Sequence, residues 1–184
     1  MLEGDFVRPC RCIAAALAFS SLMAILMAPA IARAQGQPDF LSPGEADKVR
    51  DAPDPDHRIR LFLDFAQDRL KKLQYELQLT TPQVDKPEIL NGLLSGYSGC
   101  LDETADRIQE AQQKGAKIRN AIKDAQKRGK TYLETLKTME AANGPDLVSY
   151  KDSLDDAISA TQGALKAAAK ASKEYGSLPI RRKQ

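Results

Sequence analysis

Tryptophan is absent from this 184-residue chain, histidine occurs once, cysteine three times, and aromatic residues make up only 5% of the sequence. The single histidine, His57, would have to serve any Ser-His-Asp or Cys-His hydrolytic arrangement. It sits in Asp54-Pro55-Asp56-His57, where a solvated or capping role is the ordinary one. Metal and haem motifs are missing too, with no CxxCH and no HExxH. A noncovalent haem needs ligands on facing helices, and His57 with the distant Met139 is too thin a pair to define one.

The glycines Gly92, Gly96 and Gly99 lie inside a helical pattern rather than after a strand, which argues against a phosphate-cradling loop and for close helix contact. Asp102, Glu103, Asp106 and Glu110 share a helical surface. Arg107, Lys114 and Lys117 lie among them, so they read as a solvated ionic face rather than a cation site. The sequence therefore predicts no catalytic, cofactor-binding or metal-binding residues.

What is present begins with a leader. Arg8 and Arg11 precede an apolar run from Ile13 to Ala28, Pro29 breaks the run, and Ala32-Arg33-Ala34 supplies a small-x-small pattern. This predicts a cleavable signal peptide over residues 1–34, read at Ala32 and Ala34 and cut before Gln35, and hence a periplasmic or secreted protein. An apolar run of roughly 16 residues falls short of the about 20 that a spanning helix needs, so no membrane span is expected after cleavage. Cys10 and Cys12 leave with the leader. Cys100 remains alone and cannot form an internal disulfide, so it is either a small buried hydrophobe or an exposed intermolecular thiol linking two copies.

Cleavage would remove three of 27 basic and two of 25 acidic residues, leaving the remainder close to neutral with both signs interspersed along every segment. Nucleic acid is thereby disfavoured as a partner. The basic tail Arg181-Arg182-Lys183 within residues 180–184 is expected to offer at most a weak contact to an anionic surface.

From residue 55 onward alanine, leucine, lysine, glutamate and glutamine dominate, a composition that favours long helices. Residues 35–54 read as an irregular lead-in holding one short helix, with Ser42 as cap, Pro43 in the first turn and Glu45 at the third position. Within the bundle, assigned to 55–179, helices are predicted over about 55–79, 87–142 and 146–175. The first follows Asp54-Pro55 and repeats Ile59, Ala66, Leu73 and Leu63, Leu70, Leu77 at seven-residue intervals. In the second, the seam Leu94, Leu101, Ile108, Ile122, Leu136 keeps its phase across Gly115 and Gly129, beside a line through Tyr97, Ile118, Tyr132 and Met139. Asn143-Gly144-Pro145 ends it.

The expected fold is therefore all-α, with long antiparallel helices and heptad seams. An unbroken 87–142 helix of about 85 Å would give an elongated three-helix bundle or coiled coil. The alternative is a compact four-helix bundle with a break near Gly115 or Gly129. Stretches only two helices thick bury too little surface alone, so the elongated form implies self-association or a partner in the cell envelope. The functional expectation is an exported noncatalytic scaffold, adaptor or chaperone-like binder. One alternative is a bundle holding a lipid or other apolar small ligand. A carboxylate-only hydrolase is the weaker alternative, because an elongated bundle supplies no cleft.

Overall fold

Local chemistry sets the first two helix starts. Ser42 Oγ accepts the Glu45 N–H and the Glu45 carboxylate accepts the Ser42 N–H at 2.9 Å, a reciprocal capping box that starts helix α1, Pro43–Arg50. Asp54 accepts the His57 N–H at 2.7 Å and Pro55 occupies the first turn, which starts α2, Pro55–Gln78. Helices α3 (Lys86–Gln113), α4 (Arg119–Ala142) and α5 (Leu147–Ser177) follow. This is a computed structural model, described over residues 40–79, 84–142, 144 and 146–177, and every regular element among them is a helix. None is long and apolar enough to cross a membrane. The predicted signal segment, with Ala32, Ala34 and Gln35, and the basic tail lie outside the described residues.

The unbroken helix 87–142 is corrected. The chain leaves α3 at Lys114, and Gly115 adopts φ +63, a left-handed conformation that costs a side-chain-bearing residue about 1–2 kcal/mol. The Gly115 N–H then bonds the Gln112 carbonyl at 3.0 Å, and the Ala116 N–H reaches back to the Ala111 carbonyl at 2.8 Å. This paired closure consumes the last carbonyls of α3 and turns the chain out of the helix. Gly129 is no break. It lies buried within α4, where a Cβ would come within 2.8 Å of Leu165 Cδ2, so it marks close packing of α4 on α5.

After the turn, Ile118 is fully buried, and the Asp56 carboxylate of α2 accepts the Ala121 N–H at 2.8 Å, supplying from another helix a partner for one of the unpaired donors that open α4. The pairings close a ring in the order α2, α3, α5, α4. Contacts of Asn91 with Ser149, Tyr97 with Thr161 and Gln112 with Glu174 make α3 and α5 parallel. Asp56 with Ala121 and Leu63 with Tyr132 make α2 and α4 parallel. The α3-to-α4 turn therefore crosses a diagonal of the helical bundle, and the Tyr175 hydroxyl of α5 bonds the Ala116 carbonyl beneath it. Leu94, Leu101, Ile108, Ile122 and Leu136, the seam residues, all lie in one core. Each of α2–α5 packs on two neighbours, so the thin stretches that motivated self-association do not occur.

Candidate functional site

The core carries a small polar network. The Tyr97 hydroxyl lies 2.7 Å from Thr161 Oγ1, Thr161 Oγ1 is 2.7 Å from the Ala157 carbonyl, and the Tyr132 hydroxyl donates to the Leu63 carbonyl at 3.0 Å. The two tyrosine rings meet edge to face with centroids 6.1 Å apart. Burial raises both phenols, Tyr97 the more strongly, so they act as neutral hydrogen-bonding groups. The network ties α2, α3, α4 and α5 together and is structural in geometry, with no opening to solvent at either hydroxyl's parent residue.

Cys100 lies in the same core, fully buried, and burial pushes its thiol up to about 12, although the Arg69 guanidinium nearby pulls the other way. The intermolecular thiol is thus corrected: a neutral sulfur with no exposed surface cannot bridge two folded copies. His57 is exposed, and its backbone rather than its ring joins the cap of α2. Met139 is half-buried on α4.

The carboxylate run resolves into ion pairs along α3. Arg107 bonds Glu103 at 3.1 Å and Glu110 at 2.8 Å, and Glu110 also pairs with Lys114. Those partners hold the Glu110 carboxyl below its usual range. Asp102 moves the other way, raised first by burial and then by Asp106 and by Asp156 of α5. Among the described residues no group of three or more His, Cys, Asp or Glu side chains is arranged to hold a metal ion.

Three of the grooves on the described surface bear on the site. One of about 600 Å³ runs beside Phe40 and Arg69 over the small residues Gly92, Ser95, Gly96 and Gly99 of α3. Its neighbour of about 450 Å³ continues over Ser98 and Asp102 onto Asp156, Ser159 and Gly163 of α5. The third, about 400 Å³, opens between the C-terminal halves of α2 and α4 and is lined by Leu77, Met139, Gln74, Gln78, Glu134 and three threonines. Here the hydroxyls of Thr131, Thr135 and Thr138 reach the carbonyls four residues back, at 3.5, 2.9 and 2.8 Å. With each hydroxyl turned to its own helix, the threonines add methyl surface to Leu77 and Met139.

The origin of this groove is in the ring itself. At one end, α2 and α4 are joined by Asp56 to Ala121, Leu63 to Tyr132 and an Asp64–Arg128 ion pair. Beyond Tyr132 no hydrogen bond or ion pair connects the described residues of the two helices, and the groove lies between them. The seam spacing marked Leu77 and Met139 as interior; they pack against the core but stay half-buried at this groove. Threonines at positions 131, 135 and 138, spaced for one helix face, are the sequence signal that could have located it. No protein-family model, no curated protein and no solved structure matches this chain.

Proposed function

We propose that this chain is an exported, noncatalytic binding protein, an adaptor or scaffold, whose helical bundle serves as a rigid frame for the groove between α2 and α4. The occupant is an amphipathic helix of a partner protein, laid along the two parallel helices with its apolar stripe on Leu77, Met139 and the threonine methyls. The observation that carries the reading is the fourth wall: α2 and α4 are the least closely packed of the four neighbouring pairs, and the groove between their C-terminal halves is the one lined by half-buried apolar side chains and threonine methyls. An apolar small ligand is the poorer fit, because ligand pockets bury most of their guest and this groove is open to water along its length. A helix instead brings its own polar outer face, which Gln74, Gln78 and Glu134 on the rims can meet. Self-association loses its physical motive once the bundle closes, so the partner is a different chain.

The test is a photo-crosslinking amino acid at position 135 in cells exporting the full chain, with position 166 on the exposed face of α5 as control. A protein adduct at 135 and none at 166 supports the reading. No adduct above control, or an adduct of lipid mass, overturns it.

A further inference from the structure

The segment from Phe40 to Ala52 is attached differently from everything else in the bundle. Helix α1 contains no buried residue and is eight residues long, too short to persist in water by its own hydrogen bonding. What holds it is a latch on α2. The Arg69 guanidinium bonds both oxygens of Glu45 at 3.0 and 2.9 Å, the Phe40 carbonyl at 2.7 Å and the Phe65 carbonyl of its own helix at 3.2 Å. Both charged side chains are mostly withdrawn from water, at 11% and 17% exposure.

The latch is seated in a notch cut into α3 by two glycines. A Cβ at Gly96 would stand 2.8 Å from Arg69 Nε, and one at Gly99 would stand 2.5 Å from the Phe40 ring. Outside the latch, Leu41 and Ala52 are buried and Arg58 Nε donates to the Val49 carbonyl at 3.2 Å, close to where the segment joins α2 through Ala52-Pro53-Asp54. This is a short strap with one charged fastening, an apolar seat in which Leu41 enters the core while Phe40, Ala46 and Val49 rest against it, and one narrow junction.

We propose that residues 40–52 form a strap that opens as a unit about Ala52–Asp54, without unfolding α2–α5, and that the Arg69–Glu45 pair is the switch that holds it shut. Opening clears Phe40 from Gly99 and joins the notch to the small-residue groove over Gly92 and Ser95, lengthening the free face of α3. A segment with few buried contacts opens at a much lower free energy than the body it rests on.

The strap is acid-sensitive. Burial alone would raise the Glu45 carboxyl, but the Arg69 and Ser42 hydrogen bonds and the Arg69 charge outweigh it and hold the group below its ordinary range. A carboxyl depressed in the closed state stabilises that state above its ordinary range and loses the stabilisation as pH falls through the depressed value. Around the pair, Asp68 of α2 and Cys100 of α3 reach Arg69 with their fields, and Asp102 of α3 lines the same groove as Arg69.

Hydrogen exchange read by mass spectrometry on the full chain tests this, comparing the wild type with Glu45→Gln and Gly99→Ala and normalising to intrinsic rates. The proposal expects intermediate protection for backbone amides of residues 45–51 in the wild type. It expects about a tenfold or larger loss in Glu45→Gln, as for a lost charge-assisted bond, a loss in Gly99→Ala, and a loss as pH falls through the depressed Glu45 range, with peptides of α5 unchanged. Cooperative thermal melts of α2–α5 show that each variant has folded. Strap amides unprotected in the wild type, strap amides exchanging together with the core, or a Glu45→Gln variant with unchanged strap protection would each overturn it.

Discussion

Replacing Gly115 by alanine decides between two architectures by the sign of its effect. At φ +63 a Cβ costs about 1–2 kcal/mol of backbone strain. No atom lies within 4 Å of where that Cβ would stand, so no steric clash adds to the cost. Alanine also loses less backbone freedom on folding than glycine, which returns about 0.5–1 kcal/mol. The net expectation is a destabilisation of about 1 kcal/mol, or a fall in Tm of about 2–4 °C for a chain of this size. Gly163→Ala is the control of opposite sign. It lies inside α5, exposed, with nothing within 4 Å of an added Cβ, so the same substitution should stabilise by about 0.5–1 kcal/mol. Urea denaturation followed by circular dichroism at 222 nm gives both values. Were the chain helical through residue 115, alanine would help at both positions, and a stabilising Gly115→Ala would refute the turn.

Thr161→Val should cost about 1–3 kcal/mol by leaving the Tyr97 hydroxyl buried without a partner; Tyr97→Phe should cost less, because Thr161 keeps its bond to Ala157, and equal midpoints in urea would contradict this. Cys100 should resist iodoacetamide at pH 8 in the native protein and react fully in guanidinium, since the buried thiol titrates only near about 12; rapid native alkylation by peptide mass spectrometry would place the sulfur at the surface. Met139→Asp should abolish the crosslink from position 135 while changing stability by less than about 1 kcal/mol, because Met139 is half-buried at the groove. N-terminal sequencing of the exported protein should begin at Gln35, and a start at Met1 would remove the basis for export.

The all-helical character was legible because composition and seven-residue spacing both point to it, and the short lead-in helix because Ser42, Pro43 and Glu45 announce a capping box within four residues. The turn at Gly115 was hidden by the same spacing. Periodicity reports which residues face a core, and Ile108 and Ile122 face one core from two helices as readily as from one. The contrary signal was Gly115 itself, flanked by Lys114 and Lys117 at the end of an apolar stripe. The groove was only faintly marked, by the threonines of one α4 face, and for a different reason. Leu77 and Met139 sit in register with buried neighbours, and their exposure depends on how α2 and α4 pair, two helices separated in sequence by all of α3. The Arg69 latch likewise joins residues 24 apart with no local pattern to predict the pairing.

A single distance tests the fold-back on which the frame and its groove depend. Spin labels at Glu88→Cys on α3 and Lys137→Cys on α4, both exposed, report the separation of two helix ends in the chain beginning at Gln35, with Cys100 buried and unlabelled. The closed bundle places these ends on one side of the molecule, within about 35 Å between labels, given neighbouring helix axes about 8–10 Å apart and α3 and α4 on the diagonal. An unbroken helix would hold them about 74 Å apart at about 1.5 Å per residue. A pulsed dipolar distance near the shorter value is the expected result, and the longer one would contradict the bundle, its groove and the binding role built on it.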